Sequence, residues 1–330
     1  MTTRTAADPA GLTGLRPGRF AQVVADEHDL EAARRWLERR WGGTGFVARA
    51  VGEPTAFRTV VRGDERLTLH ATTLTAHLEG TVPWLDRYAV TWFREGSTVI
   101  SDDRGRFASA GATPFLLPTE RPFSFVMTPH RQQVVQVDAA FLEATAAERH
   151  DGPPQLVVFE QGAETAQKAL VAWRTALAVS TGPVVDPAAS PLLRLEAQRR
   201  LVHALLDVFP WRVRDVPRAV RHAGAGRLRA AVDFVHEHAA EPLTPDVVAR
   251  AAGLHPRTLQ QSMRAQLGLS PMELVRRVRL DEVRHELLAA APGSVQIGEV
   301  ARRWGFGNLG RFSAVYAARF GEYPRDTLRR

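Results

Sequence analysis

The spacing of apolar residues changes along this chain and divides it into regions of different predicted structure. From Asp29 to Trp41 apolar residues recur at helical spacing, and Gly42 ends the helix. From Phe46 to Val137 apolar and polar residues alternate in short runs, which glycine, proline and aspartate interrupt every eight to twelve residues. This alternation predicts an all-β domain of roughly eight strands, built as an antiparallel sandwich or barrel.

Helical spacing returns after the β region. Residues Glu164–Val179 and Pro191–Phe209 are predicted helices, and the second has an apolar face made of Leu192, Leu195, Leu201, Leu205 and Leu206. Such a helix either supports dimerisation or packs on the β domain, and the pattern leaves both possibilities open. Residues 214–226 are a plausible hinge. The predicted division is therefore a flexible tail (1–16), a β domain (17–140), a helical connector with a possible dimerisation role (141–225) and a C-terminal helical domain (226–330).

The C-terminal domain carries one helix-turn-helix signature twice. The first copy runs from Ala249 through Gly253 to Leu259, and the second from Ala301 through Gly305 to Phe312. The small alanine lies where two helices nearly touch, and the glycine four residues later allows the positive φ of the turn. Because the second helix of such a unit is left exposed for a major groove, two copies indicate a sequence-specific DNA-binding protein.

The first predicted recognition helix runs from Pro256 to Gln266, with Leu259 and Met263 facing inward. Its outward face consists of Arg257, Thr258, Gln260, Gln261 and Arg264. Arginine and glutamine are side chains that bind guanine and adenine edges through two hydrogen bonds. A solvated polar face is the alternative explanation, but the position after the turn favours contact with bases.

A long helix is predicted between the two copies, from Ser270-Pro271 to about Ala290. Twenty residues at ~1.5 Å each span about 30 Å, which is close to one turn of B-DNA, ~34 Å. A rigid helix of this length could hold two reading heads in successive major grooves. On this helix, Arg276, Arg277 and Arg284 either contact phosphate or are solvated, and Arg279 is expected to pair with an acidic side chain.

The second predicted recognition helix covers residues 309–320 and begins after the N-cap Asn308. Phe312, Val315, Tyr316 and Phe320 form its buried stripe, and its outward face consists of Leu309, Gly310, Arg311, Ser313 and Ala314. This face has few hydrogen-bonding groups, and Gly310 costs roughly 1 kcal/mol of helix propensity relative to alanine. We therefore expect the second head to specify fewer bases than the first, with Leu309 against a thymine methyl and Arg311 on a base or phosphate.

Composition narrows the partners. The net charge is +7, and residues 226–330 contain sixteen arginines and eleven acidic residues, so most of the excess lies there. This excess fits a nucleic-acid partner, and a genomic composition bias is the alternative explanation. Without cysteine, disulfides, thiolate zinc sites and cysteine nucleophiles are excluded. The N-terminus lacks the apolar core of a secretory signal and no apolar run is long enough to cross a bilayer, so we expect no membrane association and a cytoplasmic location.

The repeated signature, Arg279-Leu280, Gly305-Phe306 and the closing residues Arg319–Pro324 closely resemble the AraC/XylS family of transcriptional regulators. The resemblance covers residues 226–330. The strand pattern of the N-terminal part and the segment Gly111–Pro118 also resemble the cupin-like sensor domain of that family. It implies an α+β protein, with an N-terminal antiparallel β-barrel (cupin-like) flanked by helices, and a C-terminal all-α domain with two helix-turn-helix subdomains joined by a long helix. The implied partners are double-stranded DNA, RNA polymerase, a small-molecule effector and a second copy of the chain.

By position, the family's base-reading residues fall on Arg257, Gln260 and Gln261 in the first head. In the second head they fall on Leu309, Gly310, Ser313 and Ala314. This chain departs from the family pattern at His255, which replaces a small N-cap, at Met263, which replaces an aromatic core residue, and at Gly310, which replaces a helix former.

Candidate chemistry in the β region is weaker. His70 and His77 lack the spacing and the nearby carboxylate of a metal site, so no metal or other cofactor is expected. An effector pocket lined by Arg58, His70, Trp84, Tyr88, Trp92 and Arg94 is one hypothesis, and core aromatics with solvated arginines are the alternative. No nucleophile elbow, P-loop or dinucleotide fingerprint is present, which favours a non-enzyme. A ligand-responsive regulator is the main hypothesis; a β domain that only dimerises or binds a protein, or a cupin-type metalloenzyme, are alternatives.

Overall fold

The computed structural model describes residues 4–5, 19–52, 54–83, 85, 87–103, 105–119, 121–150, 152–160, 166–214, 226–291 and 294–329. Most of the predicted tail and hinge, together with Trp84, lie outside the described residues. The chain divides into two compact units, residues 1–212 and 213–330. The helices predicted as a connector therefore belong to the first unit.

The strands of the first unit are short and follow one another closely. Their bounds are β1 Arg4–Thr5, β2 Ala21–Glu27, β3 Thr44–Ala50, β4 Phe57–Gly63, β5 Leu67–Leu74, β6 Ala76–Val82, β7 Arg87–Glu95, β8 Ser97–Asp102, β9 Gly105–Ala110, β10 Phe115–Leu116, β11 Phe123–Met127, β12 His130–Asp138 and β13 Leu156–Phe159. Strand β14, Trp211–Arg214, pairs with β13. The alternation of apolar and polar residues predicted the β region from Phe46 to Val137, but strand β2 lies before that region.

The strands form two main sheets rather than the predicted barrel. One has the order β1-β2-β4-β5-β12-β7-β10 and the other β3-β6-β11-β8-β9. Apart from the parallel pair β1–β2, the pairings within these sheets are antiparallel. The prediction of a closed barrel is wrong. Closure requires hydrogen bonds between edge strands, and among the described residues no ladder joins the edge strands of one sheet to those of the other.

Helix α1 (Leu30–Trp41) contributes to the core between the sheets. Asp29 caps its first turn by accepting from the backbone N–H of Glu31, and Gly42 ends it with φ +59°. Its buried residues Ala33, Trp36 and Leu37 join a core with residues of both sheets. The predicted helix is thereby confirmed, and its register places one face of α1 against the interior.

Three helices accompany the seven-stranded sheet: α2 (Ala139–His150), α3 (Gln167–Val185) and α4 (Pro191–Val208). Contacts link α2 with β7 and β12, and α3 with β4 and β5. The side-chain amide of Gln198 on α4 donates to Asp64 Oδ1 over 2.7 Å, and Asp64 is 2 % exposed. Packing of α4 on the β unit is therefore observed, although Leu192 at its start is 70 % exposed.

The second unit is helical in residues 226–291 and 294–329. Its helices are α5 Gly226–Glu237, α6 Pro245–Ala251, α7 Pro256–Leu267, α8 Pro271–Ala289, α9 Ile297–Arg303, α10 Leu309–Phe320 and α11 Pro324–Leu328. The long helix α8 contacts α5, α6 and α7 as well as α9 and α11. Its nineteen residues span about 28 Å at ~1.5 Å per residue, as predicted. The pattern in this region therefore predicted α7, α8 and α10 close to their observed bounds, and it did not predict α11.

Candidate nucleic-acid interface and effector site

The turns of the two helix-turn-helix copies have the same backbone hydrogen bonds. In the first, Leu254 N donates to Ala249 O over 2.9 Å and Gly253 N to Arg250 O over 3.0 Å. In the second, Phe306 N donates to Ala301 O and Gly305 N to Arg302 O, both over 2.9 Å. This pairing is a Schellman motif, which requires a left-handed residue at the position of each glycine.

The geometry explains the residues of the signature. Gly253 has φ +62° and Gly305 has φ +80°, a region that favours glycine because it has no Cβ. Ala249 and Ala301 are fully buried, so a larger side chain would separate the helices. The next residue, Leu254 or Phe306, is partly buried, and the Phe306 ring lies 5.0 Å from that of Phe312. The same sequence spacing therefore forms the same structure twice.

The first recognition helix, α7, presents a continuous polar face. Leu259 and Met263 are fully buried, and the predicted contact residues are all exposed: Arg257, Thr258, Gln260, Gln261 and Arg264. Within the described residues, no carboxylate lies within 4.0 Å of the guanidinium of Arg257 or Arg264. These side chains are therefore available for base edges and phosphates.

His255 acts as the N-cap of α7 despite its size. Its Nδ1 accepts from the backbone N–H of Arg257 over 3.4 Å, with Pro256 at the first helical position. The cap leaves the imidazole exposed at the N-terminus of α7. Met263 fills the core position where the family has an aromatic residue, and it is fully buried. Both departures from the family pattern are thus accommodated.

The second recognition helix, α10, is less polar on its exposed face. Asn308 Oδ1 accepts from Arg311 N over 2.9 Å, so Asn308 caps the helix. The Ser313 hydroxyl donates to Leu309 O over 3.0 Å. The partly buried Leu309 packs on the core of this head. Gly310, Arg311 and Ala314 are exposed. Among the predicted contact residues of this head, the charged group is the guanidinium of Arg311.

Several arginines of the second unit are used inside it. Arg284 lies 3.3 Å from Glu322 and its guanidinium stacks on the Phe320 ring at 4.7 Å. The prediction that Arg284 contacts phosphate or is solvated is therefore wrong, because its side chain is only 13 % exposed. Arg279 also differs from prediction: it donates to the backbone carbonyls of Ala239 and Glu241, both over 2.7 Å. Arg276 remains exposed.

The predicted effector-pocket residues do not converge. Val134 pairs with both His70 and Thr91, so His70 and Thr91 share one face of the sheet. Because side chains alternate along a strand, Tyr88 and Trp92 on β7 point to the opposite face. There Tyr88 Oη donates to Val157 O over 2.9 Å, and Trp92 meets the Trp173 ring edge-on. Arg94 lies at a register irregularity of the β7–β12 ladder and is exposed.

Arg58 also lies outside any shared pocket with His70. It is on β4, where Val61 pairs with His70, so the residue three positions earlier faces the other side. Its side chain is 67 % exposed and lies 3.9 Å from Asp26. Of the five predicted residues that the structure describes, His70 alone is buried on the inner face.

That inner face carries a group of buried polar residues that the sequence did not predict, here called the inner polar cluster. Its strand members are Thr59, Thr68, His70, Thr72, Thr91, Gln132 and Gln136, each at most 8 % exposed, and Arg40 of α1 reaches it. Thr59 and Thr72 share a 2.8 Å hydrogen bond, and Gln132 Nε2 donates to Thr91 Oγ1 over 2.9 Å. The signal was polar residues at alternate positions of β5 (Thr68, His70 and Thr72) and of β12 (Gln132 and Gln136, with Val134 between them).

The charged end of this cluster surrounds His70. Its Nε2 lies 2.9 Å from Thr68 Oγ1 and 3.4 Å from Arg40 Nη2, and Arg40 Nη2 donates to Gln136 Oε1 over 2.7 Å. Burial, with Arg40 and Arg87 nearby, lowers the pKa of His70 well below 6.5. The imidazole is therefore neutral at physiological pH, beside the permanent positive charge of Arg40.

No group of three or more histidine, aspartate or glutamate side chains suited to a metal ion occurs within the described ranges. His77, the other histidine considered for a metal, is exposed on β6. The described helices also include none long and apolar enough to cross a membrane.

Comparison with known proteins identifies the second unit. The sequence model of a family described as a helix-turn-helix domain matches residues 248–330. The chain is 41% identical over 104 residues to the probable thc operon regulatory protein of Rhodococcus erythropolis, covering 32% of this chain and 31% of that protein. The C-terminal part of this chain is an AraC/XylS-type double helix-turn-helix domain.

Other relatives match the AraC/XylS-type domain over similar lengths. The XylDLEGF operon transcriptional activator of Pseudomonas putida is 30% identical over 115 residues, covering 35% of this chain and 36% of that protein. The transcriptional activator RhaS of Escherichia coli (strain SE11) is 34% identical over 102 residues, covering 31% and 36%. The chain thus spans about a third of the length of the curated relatives it matches.

Two solved structures of AraC-type regulators also match this chain, both at low TM-scores. An AraC-type regulator from Chromobacterium violaceum is 28% identical, with a TM-score of 0.30, and the match covers 32% of this chain and 94% of that one. The AraC-like activator CuxR is 17% identical, with a TM-score of 0.35, and the match covers 78% of this chain and 91% of that one.

Proposed function

We propose that this chain is a sequence-specific transcription regulator that binds double-stranded DNA through α7 and α10. The observation that carries the proposal is the polar face of α7, where two arginines and two glutamines are exposed on the second helix of a helix-turn-helix unit. The relatives that match this domain are named as operon regulators and activators. Promoter DNA, and through it RNA polymerase, are the partners that this function requires, and a cytoplasmic location follows from it.

The two heads contribute differently in this proposal. Arg257, Gln260 and Gln261 read bases, because their side chains form paired hydrogen bonds with guanine or adenine. Thr258 and Arg264 border them and contact bases or phosphates. In α10, the Ser313 hydroxyl already donates to Leu309 O and Asn308 Oδ1 already accepts from Arg311 N, so Leu309, Gly310 and Ala314 offer surface contacts and Arg311 a charge. The second head therefore adds affinity more than base specificity.

The test begins with selection of preferred sites from random duplex DNA by the full chain, followed by fluorescence anisotropy against a scrambled duplex over a salt series. Binding to the selected site should weaken linearly in log affinity against log salt, because phosphate contacts release counterions. Arg257→Ala and Gln260→Ala should each cost about 1–3 kcal/mol on the selected site and much less on scrambled DNA. Gln266→Ala, exposed near the end of α7, is the control. Equal losses on both duplexes would remove these residues from base reading.

We further propose that the first unit senses a small polar molecule at the inner polar cluster. A buried polar group without a hydrogen-bond partner carries a cost that a polar ligand would offset, and the Nε1 of Trp36 is such a group: it is buried with no acceptor in the described part of the chain. Trp36 packs 5.5 Å from Phe57, two residues from Thr59 on the same face. A ligand would shift the population between DNA-competent and incompetent states.

The sensing proposal is tested with a panel of small carboxylates, sugars and amides, scored by the thermal unfolding midpoint. A ligand that acts here should raise the midpoint of the unmodified chain, with a smaller shift for Gln132→Leu and Gln136→Leu. The matched control is Gln133→Leu, on the opposite face of β12. A shift retained in both inner-face variants would place the ligand elsewhere. Metal analysis of the purified protein separates this function from a cupin-type metalloenzyme.

A homodimer is the assembly we propose, on the evidence of apolar side chains exposed in the first unit. Val171 and Val179 on α3 are 53% and 55% exposed, and Leu192 and Leu193 on α4 are 70% and 52% exposed. Burying such residues in a second copy is favourable at ~25 cal/mol per Å². Analytical ultracentrifugation should find a dimer that Val179→Glu or Leu193→Glu dissociates, while Arg174→Glu leaves it intact. A monomeric unmodified chain would favour a β unit that acts alone or with another protein.

A further inference from the structure

One side chain contacts both reading heads of the second unit. Arg279 lies on α8, and its guanidinium donates through Nε to Ala239 O and through Nη2 to Glu241 O, both over 2.7 Å. These carbonyls belong to the turn between α5 and α6, which is part of the first head. The third nitrogen, Nη1, lies 2.6 Å from the point where a Cβ on Gly305 would stand, and Gly305 is the turn residue of the second head.

The surroundings make this contact rigid. Two hydrogen bonds from one planar guanidinium to two carbonyls define both its position and its plane. Burial lowers the pKa of Arg279 below its ordinary value, but an arginine stays charged in proteins, and its bonds to carbonyls are charge-assisted and strong. A Cβ at position 305 would stand 2.6 Å from Nη1, so any larger residue there would have to displace the guanidinium.

The rest of α8 supports each head separately. Leu280, Val283 and Leu287 pack in the core of the second head with Phe312 and Tyr316. The buried residues of its first half are Pro271, Leu274, Val275 and Val278. Arg279 lies where these halves meet. It is therefore placed to prevent rotation of one head against the other at the middle of a single helix.

We propose that Arg279 is a positioning residue that sets the relative orientation of the two heads, and with it the spacing of the two DNA segments that the chain accepts. The effect on DNA spacing rests on the proposed function, because it requires that both heads bind DNA. The orientation itself is a property of the protein alone. B-DNA turns by about 34° and rises by about 3.4 Å per base pair, since 10–10.5 base pairs complete a turn of about 34–36 Å. A small loss of orientation should therefore relax the spacing preference.

The first experiment measures the orientation without DNA. The chain has no cysteine, so a cysteine introduced on each head will be labelled specifically. Gln266→Cys on α7 and Ala318→Cys on α10 are suitable because both positions are exposed. Pulsed electron spin resonance should give a narrow distance distribution in the otherwise unmodified chain and a distribution at least twofold broader with Arg279→Met. Arg276→Met, exposed one turn earlier on the same helix, should leave it narrow. An unchanged distribution with Arg279→Met would overturn the proposal.

The second experiment measures the consequence on a selected DNA site with zero, one or two base pairs inserted between the segments contacted by the heads. One inserted base pair should lower the DNA affinity of the unmodified chain at least tenfold. It should lower the affinity of Arg279→Met less than threefold, each protein being compared with its own best site. An identical spacing profile for both would overturn the role in spacing. If the unmodified chain shows no sequence preference, the proposed function fails while the label distances still decide the role of Arg279. If Arg279→Met does not fold, Arg279→Lys, which keeps the charge and loses the planar fork, is expected to give intermediate broadening.

Discussion

Arg319 on α10 and Asp281 on α8 form a two-point ion pair, with Nε 2.8 Å from Oδ1 and Nη2 2.8 Å from Oδ2. Each side chain is only 18 % exposed. The pair links the second recognition helix to the helix that supports both heads. Its parallel hydrogen bonds fix direction as well as distance, so α10 is held at one angle to α8.

Replacing Arg319 by methionine should therefore loosen α10. The change removes this two-point ion pair from the mostly buried Asp281 carboxylate, at a cost of about 2–3 kcal/mol after allowance for its partial exposure. Hydrogen exchange of peptides from α10, followed by mass spectrometry, should quicken by one to two orders of magnitude. Arg311→Met, exposed on the same helix, is the control, and equal exchange in the two variants would contradict this account.

Stability of the second unit should fall at high pH through Tyr316. Burial raises the pKa of Tyr316 to about 12 from 10.0, and its hydroxyl lies 2.9 Å from Thr327 Oγ1. The folded state keeps the phenol neutral while the unfolded chain ionises near 10, so this contribution is complete below pH 10 and is lost as pH rises from 10 to 12. Tyr316→Phe should cost about 1 kcal/mol at neutral pH.

The phenol contribution is measured as the free energy of unfolding in urea between pH 9 and 12. The Tyr316→Phe variant should lose less stability over this range than the unmodified chain. Tyr323→Phe is the control, because that residue is 51% exposed. Parallel curves for the unmodified chain and Tyr316→Phe would show that another group produces the loss.

The first unit should lose stability in acid through His70. Its pKa is depressed by burial, by Arg40 and by Arg87, so the folded state prefers the neutral ring while the unfolded chain takes up a proton near 6.5. The stabilisation is therefore complete above pH 6.5 and is lost as pH falls towards the folded pKa.

His70→Gln removes this titration and keeps a polar side chain beside Thr68. The thermal midpoint of the unmodified chain should drop between pH 7.5 and 5 by more than that of the variant. His77→Gln, at an exposed position on β6, should behave like the unmodified chain. His130 is also buried, with a lowered pKa, so part of the acid loss should remain. A full-sized drop in His70→Gln would assign the effect to other groups.

The two turn glycines should differ in their tolerance of alanine. Gly253→Ala places a Cβ in open space and costs only the left-handed conformation, about 1–2 kcal/mol. Gly305→Ala places a Cβ 2.6 Å from Arg279 Nη1, so it must also displace a guanidinium held by two hydrogen bonds. Urea unfolding should therefore find Gly305→Ala the more destabilising.

The cause of that difference is tested by a double variant. Arg279→Met removes the clashing atom, so adding Gly305→Ala to it should cost less than Gly305→Ala in the unmodified chain. The same double variant with Arg276→Met should show simple additivity, because independent sites add. Additivity in both cycles would mean that Gly305 is required only for its φ angle.

Local sequence patterns predicted the helices of the C-terminal unit well, because their signals lie within one turn of the chain. Ser270 and Glu273 form the capping box that begins α8, and Gly253 and Gly305 end α6 and α9 at the predicted places. The exposed face of α7 follows from the positions of Leu259 and Met263. Which bases these residues contact remains a prediction.

What the sequence by itself determined is therefore the order of elements, their buried faces and the repeated helix-turn-helix units, since caps, turns and periodicity act between near neighbours. Only the tertiary structure decided which distant side chains meet. Strand pairing put Tyr88 and His70 on opposite faces of one sheet, and it left two open sheets where a barrel was expected. Arg279 was expected to find a carboxylate, but the packing of α5 against α8 brought two carbonyls within 2.7 Å of it. Such partners lie about forty residues away, and no local periodicity encodes that distance.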